Sequence, residues 1–370
     1  MENTKLFGSL TQLELSEMIR SHAEWLADPN KGKRIDSAYV DFGGLKLSGK
    51  LSKARFRNCR FDFSNFDNCI LNSTSFEDCQ MNDVHFKNCS SSGGMVLSKC
   101  FIIHSFFDRG IYVKSNILDC KFDSSSLPLV SIKESKISGC NFTDTFWSKG
   151  SFYKSEIDSC IFNNSSFSNF YLNETIFSNS QLKKINFSAI LEINKIRISE
   201  CDLSDSILEN MDFGKNNNKD SVIRENIFSN SKLNNTNFSQ QKMFNSVFDG
   251  AEINNTSFSL CNLEKSSFIN AKGNKTSFGS TKLYNTVFTG AILTNSFWEG
   301  AHASRTILVR ANLTGASLKF SDFSNASMQE AIIDQVQFGG CNLSGVAYPG
   351  GGNCEPGSIG RCILTPHPVG

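Results

Sequence analysis

No stretch of this sequence approaches 18 consecutive apolar residues, so it offers no membrane-spanning helix. The opening, MENTKLFGSLTQLELSEMIR, lacks the basic start, apolar run and small-residue cleavage site of a secretory signal, from which a cytoplasmic location is expected. An excess of charge of one sign is missing as well. Lys and Arg number 37 against 36 Asp and Glu, so no overall field favours nucleic acid, an anionic membrane or a basic partner, and any electrostatic recognition must be local. There is no glycine-rich phosphate loop, HExxH pair or nucleophile elbow. The five histidines, His22, His85, His104, His302 and His367, stand beside no recognisable partner set. These absences point away from catalysis, and no cofactor is expected.

Phenylalanine, by contrast, is abundant: 33 residues against 6 Tyr and 3 Trp, with a visible excess of Ser and Asn. From Ile35 to Tyr348 an apolar residue recurs every five positions, with a small residue two places before it: Cys59 before Phe61, Ser64 before Phe66, Cys69 before Leu71. A period of five fits neither a helix at 3.6 nor a strand at 2. It fits a chain that turns a corner every five residues. If four sides close a coil, residues 20 apart stack at the strand spacing of about 4.8 Å.

Ala311-Asn312-Leu313-Thr314-Gly315-Ala316-Ser317-Leu318 carries the A(D/N)LXX pattern most cleanly, and on it the sequence resembles the pentapeptide-repeat proteins. The resemblance implies an all-β solenoid, a right-handed quadrilateral β-helix with the central apolar residue and the preceding small residue pointing inward. At 20 residues per coil about 15 coils are expected. The organisation expected is a capping helix and linker over 1–34, the repeat helix over 35–348 and a Gly/Pro-rich tail over 349–370.

Following the phase, central residues run Ile35, Val40, Leu45, then Leu51 to Phe86, Leu97 to Phe187 and Ile198 to Tyr348. Slips of one residue are expected near Gly49, Ser90 to Met95 and Ile190 to Lys195. One inner column then passes through Leu182, Leu203, Ile223 and Met243, and another through Phe187, Leu208, Phe228 and Phe248. The small-residue column holds Cys59, Cys79, Cys100, Cys120, Cys140, Cys160, Cys201, Cys261 and Cys341, which reads as cysteine used as a small buried hydrophobe.

A stack of coils exposes its core at both ends unless something covers it. Thr11 to Ala27 reads as a covering helix, with Thr11 and Glu14 as a capping box and Leu15, Met18, Ile19, His22, Trp25 and Leu26 on one face. The last segment is too rich in Gly and Pro for a helix or regular strand and reads as a mobile tail or irregular plug. Ile359, Ile363 and Leu364 are its available cover. Cys354, Cys362 and His367 lack a fourth ligand and a structural zinc spacing, so they are not read as a metal site.

Two surface features rise above background. Residues 31–60 hold nine cations against two acids, a local balance of +7, and Lys46, Lys50, Lys53, Arg55, Arg57 and Arg60 form the candidate partner-binding collar. Lys215, Asn216, Asn217, Asn218 and Lys219 form a candidate loop, because Asn218 occupies a position otherwise filled by Phe or Ile. The function expected is a non-enzymatic protein–protein interaction scaffold with an unidentified protein partner, acting as a monomer or an end-to-end homodimer. The resemblance offers two alternatives. One is Qnr-like binding of DNA gyrase, which depends on a strongly acidic DNA-like surface that this sequence lacks. The other is a bacterial effector delivered into a host cell. A catalytic reading requires a concavity, for example where the collar meets the helix.

Overall fold

The structure, a computed structural model, describes residues 7–214 and 222–364. The chain divides into two compact units, Met1–Leu182 with Ala189–Ile196, and Lys183–Ser188 with Arg197–Gly370. Each is a parallel β-solenoid. In the first, one side of each coil is a three-residue strand, from Asp36–Ala38 through Arg55–Arg57 and Ser75–Glu77 to Ile176–Ser178. An adjacent side is marked by parallel bridges from Asp41 through Arg60 and Gln80 to Gln181, eight levels in all. The second unit repeats this from Asp202 through Ile227 and Val247 to Ala347, again eight levels.

Five residues make one side because two must point inward and two must turn the corner. Cys59 and Phe61 are buried, Arg60 between them faces outward, and Asp62 and Phe63 turn, closed by Ser64 N–H donating to the Phe61 carbonyl at 2.9 Å. The second corner residue is left-handed, with φ of 61° at Asn68, 53° at Asn255 and 72° at Gly315. That conformation costs most L-residues about 1 kcal/mol and Asn or Gly less, which explains the abundance of Asn. Neighbouring coils then bond in both directions. Ser277 accepts from Phe258 N–H at 2.7 Å and donates to the Thr256 carbonyl at 2.9 Å.

Inside, side chains of equal register stack. Phe122, Phe142 and Phe162 lie with successive ring centroids 4.7 Å apart in the first unit. In the second, Phe228, Phe248, Phe268 and Phe288 stack at 5.0, 4.5 and 4.9 Å. Each buried side chain of this size contributes roughly 1.5–3 kcal/mol. The buried indoles are also satisfied: Trp147 Nε1 donates to Thr145 Oγ1 at 2.9 Å and Trp298 Nε1 to Ser296 Oγ at 2.7 Å.

The phase departs from the sequence reading in two places. In the first coil Phe42 and Leu47 point inward, whereas Val40 and Leu45 are partly exposed. Phe42 stacks on Phe61 at 4.8 Å, an aromatic contact that an inward Val40 would forgo. The slip near Gly49 therefore removes a residue, placing inward Leu47 and Leu51 four positions apart instead of five, where the sequence reading had added one. The slip at Ser90 to Met95 is an addition, since Ile70 pairs with Ser90 but Ser75 with Val96. So is the one after Phe187, where Asn186 pairs with Ile207.

The second departure leaves no trace in the phase. Arg197 pairs with Val222, Asp202 with Ile227 and Asp212 with Asn237, a spacing of 25 rather than 20. Leu203 therefore stacks toward Phe228 and not Ile223, and Leu208 toward Leu233 and not Phe228. Five extra residues keep a five-residue phase intact, so the sequence period cannot reveal them. A side centred on Asn218 would have nothing apolar to bury. The candidate loop Lys215 to Lys219 itself lies outside the described residues. In the coil that follows, long amides replace small residues: Asn226 Oδ1 accepts from Cys201 N–H at 2.9 Å, and Gln241 Nε2 donates to the Phe213 carbonyl at 3.1 Å.

At both ends of the described residues a segment folds back onto a coil. Helix α1, Gln12–Ala27, starts on the expected box: Thr11 Oγ1 accepts from Glu14 N–H at 3.3 Å, and Glu14 Oε2 accepts from Thr11 N–H at 2.7 Å. It buries Leu15 and His22. Gly32 at φ 67° lets the chain pass back under the helix, where any Cβ would meet the Ser21 carbonyl oxygen. At the other end the Gly/Pro-rich segment forms antiparallel bridges, Ala347 with Asn353, Asn342 with Ile359 and Cys354 with Leu364, and a disulfide joins Cys354 to Cys362. Cys354 and Ser358 are the buried residues of this cover, whereas Ile359, Ile363 and Leu364 stay 55, 44 and 48% exposed.

The 25-residue register is directly testable. With Asp202→Cys and Ile227→Cys, oxidation should cross-link the chain, because paired strands bring Cα atoms within disulfide range. With Asp202→Cys and Val222→Cys it should not. The opposite pattern on non-reducing peptide mapping would restore the uniform 20-residue register.

Candidate partner-binding surface

Lys46 to Arg60 touch all four sides of the solenoid, so cations close in sequence are dispersed in space. Lys46 lies on the side that continues through Asn65 and His85, and Lys50 on the side of Ile70 and Ser90. Arg55 and Arg57 flank buried Phe56 on the side of Ser75–Glu77. Arg60 lies on the side of Asp41 and Gln80, and Lys53 sits at a left-handed corner with φ 64°. The structure therefore does not gather the six on one face.

Two of them are already engaged. Arg57 pairs with Asp36 at 2.9 Å, and Arg60 with Asp62 at 3.5 Å and Asp41 at 3.8 Å. Such exposed pairs are worth about 0–1 kcal/mol but neutralise the local field. Elsewhere in this unit outward charges also pair from coil to coil, as Lys114 with Glu134, Lys136 with Glu156 and Lys154 with Glu174. Lys46, Lys50, Lys53 and Arg55 make no ion pair among the described residues.

Helix α1 adds a feature that the collar alone did not reveal. A cleft of about 530 Å³ opens between Gln12, Ser16, Ile19, Arg20 and Ala23 of the helix and Lys46, Ser48, Gly49 and Lys50 of the first coil. Its edge is fixed by Gln12, whose Oε1 accepts from Lys46 N–H at 2.8 Å while its Nε2 donates to the Lys46 carbonyl at 3.0 Å. Arg20 is a third cation here without an ion pair among the described residues. The sequence signal was present but weak: Gln12, Ser16, Ile19 and Ala23 recur on one helical face, beside the apolar one, with Ile19 at the border of the two. The concavity that a catalytic reading requires thus exists, yet no carboxylate, imidazole or thiol lines it.

His22, a tempting ligand in the sequence, is a structural clasp. Its Nδ1 accepts from Ile35 N–H at 3.1 Å, so the neutral ring presents Nε2–H to the Ser52 carbonyl at 3.0 Å. The ring stacks on Trp25 at 5.6 Å, and the Arg34 guanidinium lies 5.6 Å over Trp25. Burial, aided by the Arg34 charge, lowers the His22 pKa from its ordinary 6.5 against the opposing Ser52 hydrogen bond. The free cysteines are all buried. Burial pushes Cys261 and Cys341 up to about 12, and Cys261 Sγ donates to the Phe238 carbonyl at 2.9 Å, so these thiols pack and bond as neutral groups. Among the described residues no group of three or more His, Cys, Asp or Glu is placed to hold a metal ion, and no helix is long and apolar enough to cross a membrane. His367 lies outside them.

Two family models, both described as pentapeptide repeats, match the sequence, one over residues 228–259, 281–319 and 306–345 and the other over residues 50–90. Together with the coils and their inward registers, these matches show that the chain carries pentapeptide repeats. Among solved structures it is similar to HetL, a pentapeptide repeat protein involved in heterocyst differentiation regulation from the cyanobacterium Nostoc sp. strain PCC 7120, with 17% identity over 63% of this chain and 92% of that one at a TM-score of 0.33. It is also similar to full-length QnrB1, a plasmid-mediated fluoroquinolone resistance protein, at 13% identity over 48% and 84% of the two chains and a TM-score of 0.26. A third is Rfr23 of the cyanobacterium Cyanothece 51142, at 17% identity over 40% and 85% and a TM-score of 0.12. No curated protein matches the sequence.

The clasp carries a pH dependence. A histidine whose folded pKa is lowered contributes stability above its unfolded value, and that contribution is lost as pH falls below 6.5 through the folded pKa. Amide exchange in α1, corrected for its intrinsic pH dependence, should therefore quicken from pH 7.5 to pH 5, and His22→Gln should weaken that dependence. Unchanged protection at pH 5 in the parent chain would contradict the clasp.

Proposed function

We propose that this chain is a non-enzymatic scaffold that binds another protein through its first coil and the helix beside it. The observation that carries the reading is local charge: Lys46, Lys50, Lys53, Arg55 and Arg20 make no ion pair among the described residues, and three of them, Arg20, Lys46 and Lys50, line one cleft that holds no carboxylate. Unpaired cations steer an acidic surface toward them and suppress wrong partners. Side chains held at fixed spacing by a solenoid lose little freedom on binding, which favours recognition of a macromolecule. The cleft supports binding over catalysis because its lining has no acid–base pair. The near balance of 37 cations and 36 acids favours this reading over imitation of DNA, which needs a strongly acidic surface.

The test is affinity capture from cytosolic extract of the organism that makes the protein. The intact chain is compared with one carrying Lys46→Glu, Lys50→Glu, Lys53→Glu and Arg55→Glu, and with one reversed at Lys136 and Glu156, whose charges already pair. A partner retained by the second variant and lost from the first is the result expected. Equal recovery by all three would reject the first coil as the binding surface.

A further inference from the structure

Within a parallel solenoid each coil donates backbone N–H groups to the coil before it, and the first coil has none before it. On successive sides these donors are Arg60 to the Val40 carbonyl, Asn65 to Leu45 and Ile70 to Gly49, so the corresponding first-coil donors are those of Asp41, Lys46 and Lys50. The N-terminal segment supplies acceptors on two of the four sides: strand Gly8–Ser9 pairs with Val40–Asp41, and the Gln12 amide closes on Lys46. His22 accepts from Ile35, at the corner before strand Asp36–Ala38. Among the described residues neither the Asp36 nor the Lys50 N–H has an acceptor, and of the two it is Lys50 that lines the cleft.

We infer that the cleft under α1 receives an acidic, extended segment of a partner protein, which adds itself as the missing strand on this side of the first coil. A peptide carbonyl accepts from Lys50 N–H, and alternate Asp or Glu side chains meet Arg20, Lys46 and Lys50. Ile19 and Ala23 of the helix supply an apolar wall for the intervening side chains. Strand addition of this kind draws affinity from main-chain hydrogen bonds and specificity from alternate side chains. Charge complementarity selects the occupant, because three cations and no carboxylate line the cleft. The side is short, with inward Leu47 and Leu51 four positions apart instead of five, so a short segment fills it. The inference rests on the protein-binding reading above and narrows it to one address and one chemistry.

The experiment uses the full chain and a fluorescent seven-residue peptide alternating glutamate and valine. Anisotropy should show saturable binding, weakened about tenfold or more, roughly 1.4 kcal/mol, by Arg20→Glu with Lys50→Glu. Lys136→Glu with Glu156→Lys, whose charges pair with each other on later coils, should leave it unchanged. Exchange of the Lys50 amide should slow when the peptide is bound. A glutamine–valine peptide binding equally well would overturn the charge argument. Inorganic polyphosphate competing without any change at the Lys50 amide would overturn strand addition in favour of a simple anion site. If the peptide fails to bind while capture of a partner still depends on Lys53 and Arg55, the cleft inference falls and the scaffold reading stands.

Discussion

Everything in this protein depends on one requirement of backbone hydrogen bonding. After each circuit the chain must return one strand spacing further on, so that a residue both accepts from and donates to the coil before it, as Ser277 does with Phe258 and Thr256. Four five-residue sides meet that requirement when two inward side chains fill the interior and a left-handed residue turns each corner. Small inward residues set how closely the wall can approach, and the larger ones stack as in the Phe228 to Phe288 series. Cysteine, serine and threonine serve interchangeably at the small positions because each donates to a carbonyl of the preceding coil: Cys261 to Phe238, Ser266 to Met243, Thr286 to Leu263.

The same requirement makes the ends special. A coil with no neighbour holds unpaired donors and acceptors that elsewhere would bond automatically, and leaving them open invites association. At the start, a strand, a glutamine amide and a histidine ring each meet the first coil, three chemically different answers to one geometric problem. At the finish, antiparallel bridges and the Cys354–Cys362 disulfide hold a folded-back segment on the last coil. The cleft beside α1 lies on a side where the described residues supply no such answer.

Much of this was legible in the sequence because the repeat is strict. The five-residue period located the inward positions from Leu51 onward among the described residues, and Thr11 and Glu14 marked the start of the helix, since each signal is local. What escaped was non-local or lacked a period. Val40 and Leu45 looked like core, but the stacking of Phe42 on Phe61 decides the first coil. Five added residues before Val222 preserve the phase while moving every later residue to another side. The collar read as one patch because Lys46 to Arg60 are adjacent in sequence, yet a coil turns them onto different sides. Arg20 was passed over because it stands far in sequence from the lysines it faces. For the terminal segment the sequence left a mobile tail and an irregular plug both open, and named Ile359, Ile363 and Leu364 as cover, because a disulfide and three bridges, not a periodic pattern, hold it and bury Cys354 and Ser358 instead.

The central claim is that the five-residue side is the closing unit of the fold, and deletion within the second unit tests it most directly. Removing residues 261–280 takes out one full coil and returns every remaining residue to its own side. Removing residues 261–277 deletes less of the protein but breaks the phase by three. Thermal unfolding followed by far-ultraviolet circular dichroism should stay cooperative for the longer deletion, at somewhat lower stability, and lose its cooperative transition for the shorter one. Equal behaviour of the two deletions, or survival of the shorter alone, would contradict the account.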